Sequence, residues 1–163
     1  SRAEDLTRFL AAGGSVCICP LTEAALGDGI CKTLEETRGM VSLGTDCNAR
    51  IDMFEEMRWL EYAQRLDKGR RGVLASFADD IEGHLPSQLL KCATGNGATS
   101  LGLRDAGSIK VGNWADFALL DTSGPALQGV DDEDILGAMI FGGSAEGLVT
   151  NTCVAGRWTR SVS

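Results

Sequence analysis

The stretch that most restricts this chain is Val41-Ser-Leu-Gly-Thr-Asp-Cys-Asn48 together with the run after it, Ala49 to Leu66. Val41 and Leu43, with small residues around them, predict the last residues of a buried strand. Asp46 stands just past its end. Asp52 fits a helix N-cap, and Glu55 three positions on completes the pattern of a reciprocal cap. Met53, Met57 and Leu60, with Phe54 beside them, put apolar groups on one side of the helix that follows. A lone carboxylate therefore stands at the C-terminal end of a strand, before a loop into a helix. In α/β architectures that is where ligands and metals bind. On spacing alone Asp46 also reads as a turn residue, which is the commoner use of aspartate at such a place.

The residues before this stretch repeat its grammar. Asp5 to Ala12 has the pattern of a short amphipathic helix, ended by Gly13-Gly14. Ser15 to Cys19 is a short apolar run stopped by Pro20, which predicts a buried parallel strand. Leu21 to Ile30, with Gly27 and Gly29, reads as a loop whose backbone can approach a ligand. Thr33 to Arg38 has room for one helical turn or two. Strands and helices alternating through short links specify a parallel α/β fold. Two strands close no barrel, so the rest of the sheet is expected from elsewhere.

Beyond Leu66 the patterns change. Lys68 to Arg71 reads as a turn, Val73 to Ile81 as helical, and Pro86 as the first position of a helix over Ser87 to Thr94. Gly95-Asn-Gly97 is expected to interrupt it, with Ala98 to Leu103 a further short helix. From Gly107 the signals are for β-structure: a hairpin-like piece over Ser108 to Gly112, then a strand at Phe117 to Leu120. Asp131 to Asp134 form the acidic first turn of a helix over Ile135 to Phe141, closed by Gly142-Gly143. Leu148 to Trp158 reads as two strands around Ala155-Gly156, with a frayed tail from Thr159. The change of character near Ala106-Gly107 divides the chain into residues 1–106 and 107–163.

Charge excludes one class of partner. With 15 basic and 23 acidic residues the net charge is -8, which repels a phosphate backbone. Lys68, Arg70 and Arg71 form the only basic cluster, so no nucleic acid is expected. No stretch is apolar enough to cross a bilayer, and the polar opening Ser1-Arg-Ala-Glu-Asp5 lacks a signal-peptide core, so no membrane is expected either. The absence of an initiator Met gives the impression of a chain entered midway. Cysteines at 17, 19, 31, 47, 92 and 153 form no Cys-x-x-Cys pair, which predicts free thiols in the reducing cytoplasm. Cys17 and Cys19 share one face of their strand, without the neighbouring histidine or second pair that a metal site would need.

Three arrangements could carry chemistry. Gly95-Asn-Gly97 follows helix formers and lacks a third glycine, so it is no dinucleotide fingerprint. His84, the only histidine, sits in Glu82-Gly-His-Leu-Pro86 and reads as a surface loop residue. Cys47 beside Asp46 could act as a nucleophile, but nothing in the sequence places a base near it. Glu23 and Asp46 are both strand-end carboxylates, able to do acid–base work or to bind a cation, or to stand as solvated loop charges.

Longer runs carry a resemblance. Cys19-Pro-Leu-Thr-Glu-Ala-Ala-Leu-Gly-Asp-Gly29, Leu43-Gly-Thr-Asp-Cys-Asn48 and Ile51-Asp-Met-Phe-Glu-Glu-Met-Arg-Trp-Leu-Glu-Tyr-Ala-Gln-Arg-Leu66 resemble the amidohydrolase superfamily. So do Ala106-Gly-Ser-Ile-Lys-Val-Gly-Asn-Trp-Ala-Asp-Phe-Ala-Leu-Leu-Asp121 and Val154-Ala-Gly-Arg-Trp158, which look like the small β-sandwich beside the barrel in that superfamily.

The resemblance implies the C-terminal portion of a (β/α)8 TIM-like barrel, with Val16 to Cys19 as strand seven and Val41 to Gly44 as strand eight, plus part of the sandwich. A whole barrel takes about 250 residues. It further implies a metal-dependent hydrolase of carbon–nitrogen bonds outside peptides. The substrate would be a small molecule, a formimidoyl amino acid or related amidine, or a purine or triazine of the guanine or triazine type. Asp46 matches the strand-eight aspartate, which in that superfamily binds the metal, usually zinc, and carries the proton. Thr22, Glu23 and Asn48 fall where the family lines its substrate pocket. The family's histidine ligands have no counterpart here, so the ligand set is incomplete and the chain alone is expected to be inactive. The expected partner is a missing N-terminal half or a second copy; the alternatives are a non-catalytic half-barrel that serves as an interaction module, and a Cys47-dependent hydrolase.

Overall fold

A computed structural model describes residues 3–32, 34, 41–77, 85–143 and 147–160. The chain opens with helix α1 (Ala3–Ala11), which ends at Gly13 with φ +88°. Strand β1 (Val16–Ile18) then pairs in parallel with β2 (Val41–Leu43), Val16 opposite Val41 and Ile18 opposite Leu43. Both expected strands are present. They make up the whole parallel sheet among the described residues. The Gly44 N–H extends the ladder by donating to the Ile18 carbonyl at 3.1 Å.

Between the strands lies helix α2 (Pro20–Leu26), where a loop was expected. Pro20 stops β1 and at the same time opens the helix, because a proline at the first helical position has no N–H to leave unpaired. Thr22, Glu23, Ala24, Ala25 and Leu26 continue the helix, and Gly27 closes it in the left-handed region at φ +74°. Of the turn expected over Thr33 to Arg38, only Leu34 belongs to the described residues, and it is fully buried.

Helix α3 (Met53–Lys68) is the longest element among the described residues. The Asp52 carboxylate accepts from the N–H groups of Phe54 at 3.0 Å and Glu55 at 3.1 Å, as an N-cap should. Glu55 does not return the bond that a reciprocal cap requires; its carboxylate pairs with Arg58 on the next turn. Met57 and Leu60 face the core together with Ile18, Leu34, Val41, Leu43, Leu74, Leu89, Cys92 and Ile140. The same buried side of α3 also holds three polar side chains, Glu56, Glu61 and Gln64.

Each of those three catches the backbone of a different segment. Glu56 Oε2 accepts from the Leu21 N–H at 3.0 Å, at the start of α2. Gln64 Nε2 donates to the Cys31 carbonyl at 3.0 Å. Glu61 Oε1 accepts from the N–H groups of Gly72 at 2.8 Å and Val73 at 3.2 Å, and Oε2 from Leu74 at 3.2 Å. Arg65 Nε pairs with the same carboxylate at 2.8 Å. Glu61 thereby satisfies three donors of the chain that turns back after Gly69. That chain continues into a 3-10 turn over Leu74–Phe77, the described part of the expected Val73 to Ile81 helix. His84 lies outside the described residues.

Helix α4 (Leu85–Ala93) fits the reading of Pro86, and α5 (Gly95–Ser100) starts at the Gly-Asn-Gly run that was expected to interrupt it. Two contacts override the low helix propensity of glycine. Asn96 Nδ2 donates to the Val41 carbonyl at 2.7 Å, tying α5 to β2. Gly107 lies against α5 so closely that a Cβ there would come within 2.8 Å of Ala98 Cβ and 2.9 Å of Gly95 Cα.

The expected β-piece at Ser108 to Gly112 is no strand. Asn113 closes it as a loop, donating from Nδ2 to the Ser108 carbonyl at 2.9 Å and from N–H to Lys110 at 3.1 Å. Among the described residues the antiparallel sheet consists of β3 (Phe117–Leu120), β4 (Val149–Val154) and β5 (Arg157–Arg160), with β4 in the middle. β4 and β5 join through Ala155 at φ +49° and Gly156 at φ +78°, the two left-handed residues of a tight hairpin turn. Thr159 and Arg160 pair with Thr152 and Asn151, so the expected fraying does not include them.

Helix α6 (Ile135–Gly142) covers the expected span and returns to the first core, but the run Asp131 to Asp134 precedes it, with Asp134 at the N-cap, and its first turn holds no carboxylate. Its last carbonyls are held by Arg58, which donates from Nε to Ile140 at 2.7 Å and from Nη2 to Gly143. Phe141 stacks on Tyr62 with ring centroids 5.8 Å apart, and the Arg65 guanidinium lies over both rings. Leu127, Met139 and Leu148 form a second apolar cluster, with Leu120 of β3 packed against it.

Two outcomes are expected. Glu61→Ala should lower unfolding free energy in urea by about 3 kcal/mol or more, because it strands three backbone donors at once. Glu56 makes a pH-dependent contribution. Burial, with no partner for its Oε1 among the described residues, raises its carboxyl above the ordinary value of 4.5 despite the opposing Leu21 bond. A raised carboxyl favours folding while protonated and loses that contribution as pH rises through its folded value. Glu56→Gln should therefore match the wild type in acid and overtake it in thermal stability as pH rises from 4.5 toward neutrality.

Candidate functional site

The C-terminal ends of β1 and β2 present four polar residues on two short segments. Asp46 occupies the turn from Thr45 to Asn48, closed by the Asn48 N–H donating to the Thr45 carbonyl at 3.1 Å. Its backbone is left-handed, φ +49°, a conformation that aspartate accepts more readily than most residues. The carboxylate is exposed. Asn48 is half-buried, and its Oδ1 accepts from the Arg50 N–H at 2.9 Å.

Thr22 and Glu23 come from the first turn of α2. Thr22 is 3% exposed, and its hydroxyl donates to the Thr45 carbonyl at 2.9 Å. One carbonyl thus closes the Asp46 turn and anchors it to α2. Glu23 is half-buried, and Oε1 accepts from the Cys19 N–H at 3.0 Å while its own N–H donates back to the Cys19 carbonyl at 2.9 Å. Glu56 holds the residue before Thr22 from behind.

The structure therefore brings Asp46 and Glu23 to the same rim. Both carboxylates act on the Cys19 thiol, which is pushed up to about 12 by burial first, then by Cys17, Asp46 and Glu23. Cys19 is a protonated thiol there at neutral pH. Cys47, beside Asp46, is exposed, and no base among the described residues is hydrogen-bonded to it. A cleft of about 800 Å³ between α4, α5 and the loop after them is lined by none of the four rim residues. Glu23 borders two smaller cavities of about 280 and 290 Å³, shared with Gly29, Ile30 and Cys31.

Sequence reasoning missed Glu56, whose carboxylate fixes the start of α2. The signal was present: Met53, Glu56, Met57, Leu60 and Gln64 fall on one helical stripe, so a carboxylate and an amide had to enter the core with the apolar groups.

Comparisons with known proteins agree on the kind of protein. The chain is 36% identical to the formimidoylglutamate deiminase of Pseudomonas aeruginosa over 152 residues, 91% of this chain and 32% of that protein. It is 32% identical to the 8-oxoguanine deaminase of the same organism, over 96% of the chain and 32% of the relative. A solved adenosine deaminase from Xanthomonas campestris with bound zinc superposes with a TM-score of 0.74 at 26% identity, over 95% of this chain and 34% of that one. The chain thus spans about a third of the length of the curated relatives it matches. The fold is that of a fragment of a barrel-type amidohydrolase, mixed helices and strands, as expected.

Zinc in one such structure raises the question of fit. Among the described residues no three His, Cys, Asp or Glu side chains stand close enough together to hold a metal ion. Asp46 offers a single carboxylate, so the residues described here do not by themselves fit the ion. A model of the amidohydrolase family matches residues 3–159, nearly the whole length, and the chain belongs to that family.

Proposed function

We infer that this polypeptide supplies the Asp46 end of a hydrolytic deaminase that converts N-formimidoyl-L-glutamate and water to N-formyl-L-glutamate and ammonia, a cytoplasmic step of histidine degradation. The observation that carries the reading is the Asp46 turn, fixed at a strand end by the shared Thr45 carbonyl, with its carboxylate free to solvent. The substrate assignment leans on the 36% identity to the Pseudomonas deiminase.

In this reading β1 and β2 are barrel strands seven and eight, residues 1–106 the barrel portion and 107–163 the sandwich portion. Asp46 accepts a proton from the attacking water as it adds to the C=N carbon, and returns it to the departing ammonia. Glu23, with one oxygen engaged by Cys19 and the other unassigned, and Asn48 face the substrate. Thr22 acts from behind by holding the turn. A divalent ion such as zinc would take Asp46 as one ligand and draw its others from outside the described residues.

A second reading has an observation of its own. Ile109 is 84% and Val111 108% exposed, and Trp114 and Trp158 are also open to solvent. So much apolar surface suits a chain that packs against further polypeptide, an N-terminal half or a second copy.

Grafted in place of the matching third of the Pseudomonas deiminase, the chain should support ammonia release from N-formimidoyl-L-glutamate. In that chimera Asp46→Asn should lower kcat/KM by about 100-fold or more with the fold intact. Preference for 8-oxoguanine would move the substrate to a purine, and an undiminished Asp46→Asn would remove Asp46 from the chemistry. The chain by itself should release no ammonia and take up no stoichiometric zinc in isothermal titration; tight one-to-one uptake would refute the incomplete ligand set.

A further inference from the structure

Helix α2 lacks a cap of its own. Cys19 stands at its N-cap position with no side-chain bond to the first turn, and Pro20 brings no N–H. The first N–H of the helix is that of Leu21, one of the donors that a helix start leaves to find partners elsewhere. Its partner is Glu56 Oε2 at 3.0 Å, supplied by α3 from 35 positions along the chain. Glu56 is fully buried, so losing this bond would strand a carboxylate that cannot turn to water instead.

Two of the four rim residues ride on the turn that Glu56 holds. Thr22, next in sequence, donates its hydroxyl to the Thr45 carbonyl at 2.9 Å, and that carbonyl also accepts from the Asn48 N–H at 3.1 Å. Glu23, one further on, bonds in both directions with Cys19 at the head of the same helix. Between Thr45 and Asn48 the Asp46 backbone stands at φ +49°, a state that persists where the surroundings enforce it. Every link from Glu56 to that turn is made inside this chain.

We propose that Glu56 is a positioning residue: by capping α2 from α3 it sets where Thr22 and Glu23 stand, and through the Thr45 carbonyl it holds the Asp46 turn. Glu56 acts through Leu21 and Thr22, not on the reacting atoms. Its catalytic consequence rests on the deaminase reading given above; the mechanical path does not.

Two variants separate the cap from the charge. Glu56→Gln keeps an acceptor for the Leu21 N–H, and Glu56→Met keeps similar length without one. In the intact chain, amide hydrogen exchange at Asn48 reads the turn directly. Glu56→Met should speed it about 10-fold or more, whereas Glu56→Gln should stay within about 3-fold of the wild type. Thr22→Val should speed it as Glu56→Met does. Because the two residues act in series, the double variant should exchange no faster than Thr22→Val alone. Circular dichroism checks that each variant folds; Glu56→Asp, which draws the acceptor back by one methylene, serves in place of Glu56→Met if that variant does not. In the chimera with the Pseudomonas deiminase, Glu56→Met should lower kcat about 10- to 100-fold, more than it raises KM, and Glu56→Gln should restore kcat to within about 3-fold. Wild-type exchange at Asn48 in Glu56→Met, or an effect that adds to that of Thr22→Val, would overturn the path. Undiminished kcat in Glu56→Met, in a chimera that Asp46→Asn does impair, would overturn the positioning role. A chimera that Asp46→Asn leaves unimpaired removes the deaminase reading instead, and the exchange rates then decide the proposal.

Discussion

The structure depends on a helix that buries carboxylates and an amide along with its apolar groups. On α3, Glu56, Glu61 and Gln64 occupy the buried side beside Met57 and Leu60. Removing such groups from water is costly unless each finds a partner. Here the partners are main-chain groups of three other segments, at Leu21, at Cys31 and at Gly72 to Leu74. Apolar contacts alone would tolerate sliding of α3 against its neighbours. A carboxylate that accepts from three consecutive N–H groups tolerates far less, because a small shift leaves donors unpaired in a dry interior.

That rigidity reaches the rim in two steps. Glu56 fixes the start of α2, and the next residue of α2, Thr22, fixes the carbonyl that closes the Asp46 turn. The exposed carboxylate therefore sits on a short loop tied to the core through backbone acceptors. Loops that carry function gain precision in this way, by being bolted to regular elements at their ends. Glu56 itself keeps one oxygen without a partner among the described residues, so the fixing is obtained at some cost in stability near neutral pH.

Much of this architecture was legible in the residues. The runs Val16 to Ile18 and Val41 to Leu43 are short, apolar and β-branched at their starts, and a short buried parallel strand is the structure such runs favour. The Asp52 cap and the stripe of Met57 and Leu60 marked α3, and Ala155-Gly156 marked a hairpin. What failed did so for identifiable reasons. Pro20 reads as a strand stop and is also a helix start, so the residues of α2 carry the pattern of a loop. Asn96 bonding to Val41, and Gly107 pressed on α5, outweighed the helix-breaking reputation of Gly-Asn-Gly, and neither contact is local in sequence. Ile109 and Val111 alternate as strand residues do but are exposed, with no strand beside them among the described residues. At the rim, the strand-end position of Asp46 and Glu23 could be read from order along the chain. The turn that sets the Asp46 backbone at positive φ, and the inward hydroxyl of Thr22, required three dimensions.

Arg58 closes the C-terminal end of α6, and Ile140 of that helix belongs to the same buried cluster as Ile18 and Val41. The second half of the polypeptide therefore completes the interior of the first. If the gene were divided at Gly107, the upstream product would present a hole where Ile140 belongs and a guanidinium stripped of its carbonyl acceptors. The downstream product would be left with an apolar helix and nothing to lay it on. Interior and sequence are partitioned differently in this molecule, and any dissection of it has to follow the interior.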